Sequence, residues 1–364
     1  MSPSSTTRRF FAILPPGLEE ALELELRSLI EAPEEAKIRR ELGGVSYSVP
    51  LEQGINILHM LRTPSKVLLR LGTKKIRRMV DIETLLERAE LSTLIPAGAR
   101  FSIEIHTHSS KLHRSDVLKS KCTRVLKALL AGPHREEPEQ KFQLRLINDL
   151  GTLSLQLNGP PLYQRGWRAL QGKASLRENL AASLLLLSGW DPREPLLDPF
   201  CGSGTIPIEA ARMAKNFPPR LSRSDSWQYL LPLRHFTPST PLSSERTPLV
   251  FGRDQQQEAI DKSIHNAQLA EIDADFEKKS ITALAPPCPT GIIITNPPYG
   301  LRLGKNVDSV YKKLGERYRD SFQEWKLFFI TPHQRLAKLV DPNVESIARF
   351  PQGGLWVDFY KLSE

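Results

Sequence analysis

Pro195-Leu-Leu-Asp198-Pro-Phe-Cys-Gly202-Ser-Gly204-Thr205 decides the fold. Its first four residues make a short apolar strand. The glycines then turn the chain into Ile206-Pro-Ile-Glu-Ala-Ala-Arg-Met-Ala214, where Ile206, Ala210 and Met213 share one helical face. Strand, glycine turn and helix form a nucleotide-binding geometry: glycine lets a ligand approach the backbone, and the helix start offers free N–H groups. A dinucleotide fingerprint would carry a third glycine at position 207 and an acid about 20 residues further on. Position 207 is Pro207 and the next acid at a strand end is Asp254, so that fingerprint fits poorly. The chain has no Gly-Lys-Ser/Thr, which excludes a phosphate-cradling P-loop.

Two further strand ends follow in order. Leu249-Val-Phe251 leads into Gly252-Arg253-Asp254, and residues 257–269 read as the next helix. A carboxylate at that strand tip can accept both hydroxyls of a ribose. Gly291-Ile-Ile-Ile294 then runs into Thr295-Asn296-Pro297-Pro298-Tyr299-Gly300. Neither proline can donate a backbone hydrogen bond, and both fix φ at about −65°. Asn296 adds a side-chain carbonyl acceptor and Tyr299 a flat ring. Two rigid acceptors beside a stacking ring suit a planar base with an exocyclic NH₂ group; a buried strand ending in a plain proline turn is the simpler alternative. The three sites fall on strands one, two and four of a doubly wound sheet, whose ligands bind at the carboxyl ends of the strands.

The charge is unevenly placed. The 364 residues hold 50 Lys and Arg against 41 Asp and Glu, a formal +9. Residues 1–59 carry 6 basic and 9 acidic side chains, residues 60–130 carry 15 and 6, and the remainder adds +3. A local excess is what a phosphate-neutralising surface requires. Lys74-Lys75-Ile-Arg77-Arg78 is one cluster. The other lies on a helix predicted over 115–130, whose buried stripe reads Leu118, Cys122, Val125 and Leu129. Lys121, Arg124 and Lys127 fall on a different face, with Lys111 and Arg114 just before it. A solvated helix face explains one such run; two clusters point to RNA contact.

Residues 10–14 read as a strand, 17–30 as an amphipathic helix, 36–49 as a hairpin turning at Gly43-Gly44, 51–61 as a helix and 65–72 as a strand. A helix over 82–89 and a strand over 100–107 precede the basic helix, and 142–148 pairs with 151–157. The linker is Asn158-Gly-Pro-Pro161. A Pro/Ser-rich stretch over 217–248 interrupts the second half; Trp227 and Tyr229 there make either a lid or a local hydrophobic cluster.

Asp198-Pro-Phe-Cys-Gly-Ser-Gly-Thr205 with Asn296-Pro-Pro-Tyr-Gly300 resembles the S-adenosyl-L-methionine-dependent methyltransferases that modify exocyclic amines. Gln164-Arg-Gly-Trp167 and Lys173-Ala-Ser-Leu-Arg-Glu-Asn-Leu-Ala181 are similar to the pre-catalytic region of THUMP-domain rRNA guanine-N2 methyltransferases. The resemblance spans nearly the whole chain. It implies an α/β protein: a ferredoxin-like segment (1–64), a THUMP RNA-binding domain (65–160) and a Rossmann-like class I methyltransferase sheet (161–364). It also implies methylation of guanine N2 in RNA, large-subunit (23S) rRNA first and tRNA as the alternative. Asn296 and the Pro297 carbonyl would accept the two N–H bonds of the amine, and Tyr299 would stack on the base. No catalytic His or Cys is needed, because the methylated ammonium is acidic enough to lose its proton late. Asp198, Pro199, Cys201, Gly202, Gly204, Thr205, Asp254, Ser280 and Asn296 would hold the cofactor, Asp198 at its amino group. A helix cap is the plainer role for Asp198. Ser175 and Glu178 read as a capping box, and the loop over 173–178 borders the cofactor by resemblance.

Three positions depart from the family. Gln256 and Leu301 stand where acids are common, and Ser280 replaces the acid that meets the adenine amine. An RNA-binding protein with a decayed cofactor site is therefore a further alternative. DNA adenine and protein glutamine methyltransferases share Asn-Pro-Pro-Tyr without predicting residues 1–160. Cys122, Cys201 and Cys288 are scattered, which suits a reducing cytoplasm, and no spacing suggests a metal site. His106, His108 and His113 read as surface residues. No apolar run approaches the about 18 residues of a membrane span, and the start lacks the apolar core of a secretion signal.

Overall fold

The computed structural model describes residues 7–172, 175–221, 225–240, 242–244, 247–299 and 307–362. Lys173, Gly300 and Leu301, named above, lie outside the described residues.

The first half builds one sheet from β1 (Thr7–Ile13), β2 (Arg39–Glu41), β3 (Gly44–Pro50), β4 (Lys66–Lys75), β5 (Phe101–His108), β6 (Gln140–Ile147) and β7 (Leu150–Gln156). The spatial order is β2-β3-β1-β4-β7-β6-β5, and only β5 and β6 run parallel. Because β1 pairs with β4, the sheet is continuous across residue 64. Helices α1 (Glu19–Leu29), α2 (Leu51–Met60), α3 (Met79–Glu87), α4 (Leu91–Leu94) and α5 (Ser115–Leu129) lie between its strands in the chain. Phe10 stacks on Tyr47 at 5.2 Å across the β1–β3 pair. In α5 the buried stripe is Leu118, Cys122 and Leu126, while Leu129 is exposed. The expected Leu129 is thus replaced by Leu126, four residues past Cys122, because the helix meets β5 and α3 along the i, i+4 row.

The second half builds a sheet from β8 (Leu196–Asp198), β9 (Val250–Asp254), β10 (Asp275–Lys278), β11 (Gly291–Thr295), β12 (Trp325–Thr331), β13 (Val344–Gln352) and β14 (Leu355–Leu362). The order is β10-β9-β8-β11-β12-β14-β13, parallel through β12, with β14 antiparallel to both neighbours. Its helices are α6 (Glu178–Leu187), α7 (Thr205–Ala214), α8 (Gln257–Leu269), α9 (Val307–Ser321) and α10 (Gln334–Val340). Strand alternation divides two cores. Leu196, Ile292, Ile294 and Phe328 face the one shared with α6 to α8 and the first half of the chain, and Leu197, Ile293, Leu327 and Phe329 face the one under α9 and α10. The order reverses between β8 and β11, which makes that crevice the switch point.

The halves are locked together through buried charge. Glu25 of α1 accepts from the Arg62 and Thr63 N–H groups at 2.7 and 3.0 Å and from the Thr63 hydroxyl at 2.6 Å. Arg165 donates to Glu209 of α7 at 3.0 and 3.3 Å and to the Arg62 carbonyl at 2.7 Å. Arg62 donates in turn to the Phe217 carbonyl. Helix α7 is consequently hidden on nearly all sides, not only along the expected Ile206 face. Burial pulls the Arg62 guanidinium down to about 10, with Glu209 opposing that fall.

The 217–248 stretch also belongs to this junction. The Trp227 ring is buried and packs edge-on to Phe236, and its backbone N–H donates to the Leu157 carbonyl at 3.1 Å. It is cement between the halves and not a lid. Gly17, at φ +93°, lies against β13, and a Cβ there would stand 1.8 Å from the Arg349 carbonyl oxygen. Gly17→Ala is expected to cost about 2–4 kcal/mol from strain and overpacking together. Calorimetric melting should show a drop of several degrees, and an unchanged Tm would contradict the close approach.

Candidate active site

Hydrogen bonds bring three of the strand ends together. The Thr295 hydroxyl at the end of β11 donates to Asp198 Oδ1 at 2.5 Å, joining the fourth strand to the first. The Phe200 N–H reaches the same oxygen at 3.1 Å, so Asp198 closes a tight turn. It does not cap α7, whose N-cap is Gly204 at φ +83°. At the end of β9, Asp254 accepts from the Gly202 N–H at 3.1 Å and the Gln256 N–H at 2.9 Å, joining the second strand to the glycine turn. Gly202 has φ +56°, and a Cβ there would meet nothing, so its outer side is open. The Gly204 N–H is spent on the Cys201 carbonyl, and the Cys201 N–H on the Arg253 carbonyl. The turn is thus internally braced.

Burial sets the electrostatics. It pushes the Asp198 carboxyl up to about 7, against the Thr295 and Phe200 hydrogen bonds, and the nearby Asp254 charge adds to the rise. Asp254 is also raised, chiefly by burial. Since the folded value exceeds the unfolded one, this group's contribution to stability is fully present below about 3.9 and is lost as pH rises through about 7. The Cys201 thiol is raised by burial and by the neighbouring carboxylates, which makes it inert.

Beyond β11, Pro297 is buried and Tyr299 packs between the two cores, its hydroxyl pushed up to about 12 by burial. The Asn296 side-chain oxygen is buried and has no hydrogen-bond partner among the described residues. An acceptor in that state costs free energy unless something donates to it.

Two residues escaped the sequence reading. Arg168 lies one residue past Gln164-Arg-Gly-Trp167. Its guanidinium donates to the Thr205 hydroxyl at 2.9 Å, to the Leu176 carbonyl and to Glu178 at 3.4 Å. It therefore anchors the first residue of α7. Asn266 of α8 is buried and donates to the Ser203 and Leu170 carbonyls at 3.0 and 2.9 Å, clamping the glycine turn from behind. The expected capping box is absent: α6 begins at Glu178, and Ser175 Oγ instead accepts from the Gly172 N–H at 2.9 Å. Arg168 draws both Leu176 and Glu178 toward the site, which delays the helix. Thr205 is thereby committed to Arg168, and Ser280 caps the 3₁₀ turn Ile281–Ala283.

Residues 165–352 match the family model described as RMKL-like, methyltransferase domain. The chain belongs to this methyltransferase family. Membership makes S-adenosylmethionine its cofactor. Among curated relatives, the ribosomal RNA large subunit methyltransferase K/L of Psychromonas ingrahamii is 33% identical over 337 residues, covering 85% of this chain and 44% of the relative. The protein of the same name from Shewanella amazonensis is 31% identical, covering 95% and 52%. This chain thus spans about half the length of the curated relatives it matches. Among solved structures, SMU.472 complexed with SAH has a TM-score of 0.85 at 23% identity over 98% of both chains. "A predicted N6-adenine-specific DNA methylase" from Listeria monocytogenes str. 4b F2365 has 0.84 at 22% identity, over 99% of this chain and 97% of that one. At these identities the likeness is one of fold.

Lys74, Lys75 and Arg77 meet Lys111 at one end of the first sheet, whereas Arg124 and Lys127 lie further along α5, whose C-terminus returns to the start of β5. Lys74 and Lys75 close β4 beside Gly151 and Leu150 of β7, and Asp149 in the β6–β7 turn binds Arg77 at 3.3 Å and the Lys111 N–H at 2.7 Å. Part of the charge is already spent. Lys121 pairs with Glu83, Arg78 with Asp81 and Arg114 with Asp116. Lys121 in particular is half-buried against α3 and differs from the exposed Arg124 and Lys127. Among the described residues Lys74, Lys75, Lys111, Arg124 and Lys127 make no ion pair, and no three His, Cys, Asp or Glu side chains gather as a metal site would need.

Proposed function

We propose that this protein methylates the exocyclic N2 amine of a guanine in RNA, with large-subunit rRNA as the substrate. The observation that carries the reading is the buried, unpartnered Asn296 oxygen at the end of β11. S-adenosylmethionine supplies the methyl group from a sulfonium cation. The Asn296 side-chain oxygen and the Pro297 carbonyl accept the two N–H bonds of the guanine amine. They orient its lone pair and offset the positive charge that grows on nitrogen. Tyr299 stacks on the base once it has left its own stack. Asp198, Asp254 and the turn from Pro199 through Thr205 hold the cofactor, with Ser280 and Asn296 at its border. The internal bonds of Cys201 and Gly204 and the Arg168 bond to Thr205 make several of these positions supports rather than direct contacts.

The N-terminal sheet is read as the ferredoxin-like segment and THUMP domain that grip RNA shape. Lys74, Lys75, Lys111, Arg124 and Lys127 are its free cations, and Arg77, Arg78, Arg114 and Lys121 form the ion-paired remainder. The names of the curated relatives favour rRNA over tRNA. Mass spectrometry of RNA from a strain lacking the gene tests this. Loss of one methyl group from a large-subunit rRNA guanosine is expected; loss from tRNA alone would move the substrate, and loss from neither would refute the reading.

The raised Asp198 carboxyl makes a second test. An ammonium brought to Asp198 favours the charged carboxylate, so affinity for S-adenosylmethionine should climb with pH by up to about tenfold per unit below about 7 and level off above it. Calorimetric titration of Asp198→Asn should show weaker binding without that slope. A flat profile in the unaltered chain would remove Asp198 from the amino group.

A further inference from the structure

Strand β14 runs antiparallel to β12, and this carries the tip of the β13–β14 hairpin onto the catalytic edge of the sheet. Thr295, the last residue of β11, stands beside Phe329, and Phe329 stands beside Tyr360. Four residues before Tyr360, Trp356 therefore lies about 13 Å further along the direction in which the chain leaves β11, and two strands or about 10 Å to the side. It is 51% exposed, whereas Trp167, Trp190, Trp227 and Trp325 are all buried. Trp356 pairs with Pro351 and Asp358 with Arg349, so all four share one face of the hairpin. Arg349 is exposed and makes no ion pair among the described residues, and the Asp358 carboxylate accepts from the Ser346 hydroxyl at 3.1 Å. Pro16 and Gly17 of the N-terminal half flank the far side of an open surface cavity of about 350 Å³ lined by Pro16, Gly17, Arg349 and Trp356.

We propose that this cavity is a second RNA contact, in which Trp356 stacks an unpaired base flanking the target and Arg349 meets its phosphate. The proposal rests on the RNA reading above. A base flipped into the Asn296 site leaves disrupted neighbours in the strand, and an aromatic platform with one free guanidinium on the same edge matches an unstacked nucleotide in both chemistry and charge. The cavity is lined from both halves of the chain, so the nucleotide would touch the loop after β1 as well as the β13–β14 hairpin.

The unique exposure of Trp356 makes the test selective. Titrating large-subunit rRNA fragments into the full chain should quench tryptophan emission, and Trp356→Phe should abolish most of the quenching while keeping the stack. Trp356→Ala should raise KM for RNA about tenfold, with S-adenosylmethionine binding and Tm unchanged, and Trp356→Phe should restore most of the loss. Arg349→Ala should lower the salt dependence of RNA binding by about one counterion. Unchanged KM in Trp356→Ala, or RNA binding without quenching, would overturn the platform even if methylation proceeds. Quenching by RNA without any methylation would leave the platform standing and sink the proposed activity. A hairpin tip that serves a protein partner would show neither quenching by RNA nor a change in KM.

Discussion

Asn296→Ala is expected to lower kcat by about a hundred- to a thousand-fold, the range seen when one preorganised hydrogen-bonding group is removed from a transition-state site. The reason lies in the cost of the native arrangement. The Asn296 oxygen is buried without a partner among the described residues, at the end of a strand that is otherwise packed on both faces. A protein gains nothing in stability from that arrangement. It gains a fixed acceptor that need not reorganise when the amine of the target base arrives. Alanine removes the unsatisfied group, so Tm should stay level or rise slightly while kcat collapses. RNA affinity should change little, because phosphate contacts dominate it. Single-turnover kinetics with calorimetric RNA binding would separate these effects. An alanine variant that retains near-full kcat would refute the assignment of Asn296.

The second large effect is structural. Glu209→Ala should cost about 3–5 kcal/mol, because it leaves Arg165 buried without its carboxylate and deprives Arg62 of a partner 3.8 Å away. Both arginines are essentially inaccessible to water, so neither can recover by hydration. The cost falls on the junction between the two halves, since the network runs from Glu25 in α1 through Arg62 and Arg165 to α7. Destabilisation should therefore loosen the N-terminal sheet from the methyltransferase sheet as well as lower Tm. Replacing both Arg165 and Glu209 with apolar residues of similar volume should recover much of the loss. Denaturant unfolding of the two single variants and the double variant reads the coupling. Additive costs would show that the pair acts as two independent side chains.

What was legible in the chain is what local chemistry writes. Glycines at 202 and 204, acids at 198 and 254 and the prolines at 297 and 298 each dictate backbone shape or strand-end character within a few residues. The expected strands and helices of the first half follow from alternation and helical period in the same way. The long-range choices were not legible. Ser175 and Glu178 satisfy a local capping pattern, yet Arg168, several residues upstream, claims Glu178 and delays the helix. Trp227 in a Pro/Ser-rich stretch gives no local sign that it will donate to Leu157 and fill the junction. The same holds for Lys121. Its helical position places it on a polar face, and only the approach of α3 with Glu83 consumes its charge. Arg165 and Glu209 are 44 residues apart, and nothing between them announces that both will be buried.

The central claim is that this chain moves a methyl group to the N2 amine of guanine in RNA. The most direct measurement incubates the purified chain with methyl-labelled S-adenosylmethionine and unmodified large-subunit rRNA, digests the RNA to nucleosides and identifies the labelled product by mass spectrometry. The account predicts N2-methylguanosine as the labelled nucleoside, and its loss in Asn296→Ala. Label on adenine N6 or on a ring carbon, or no label despite bound cofactor and bound RNA, would contradict it.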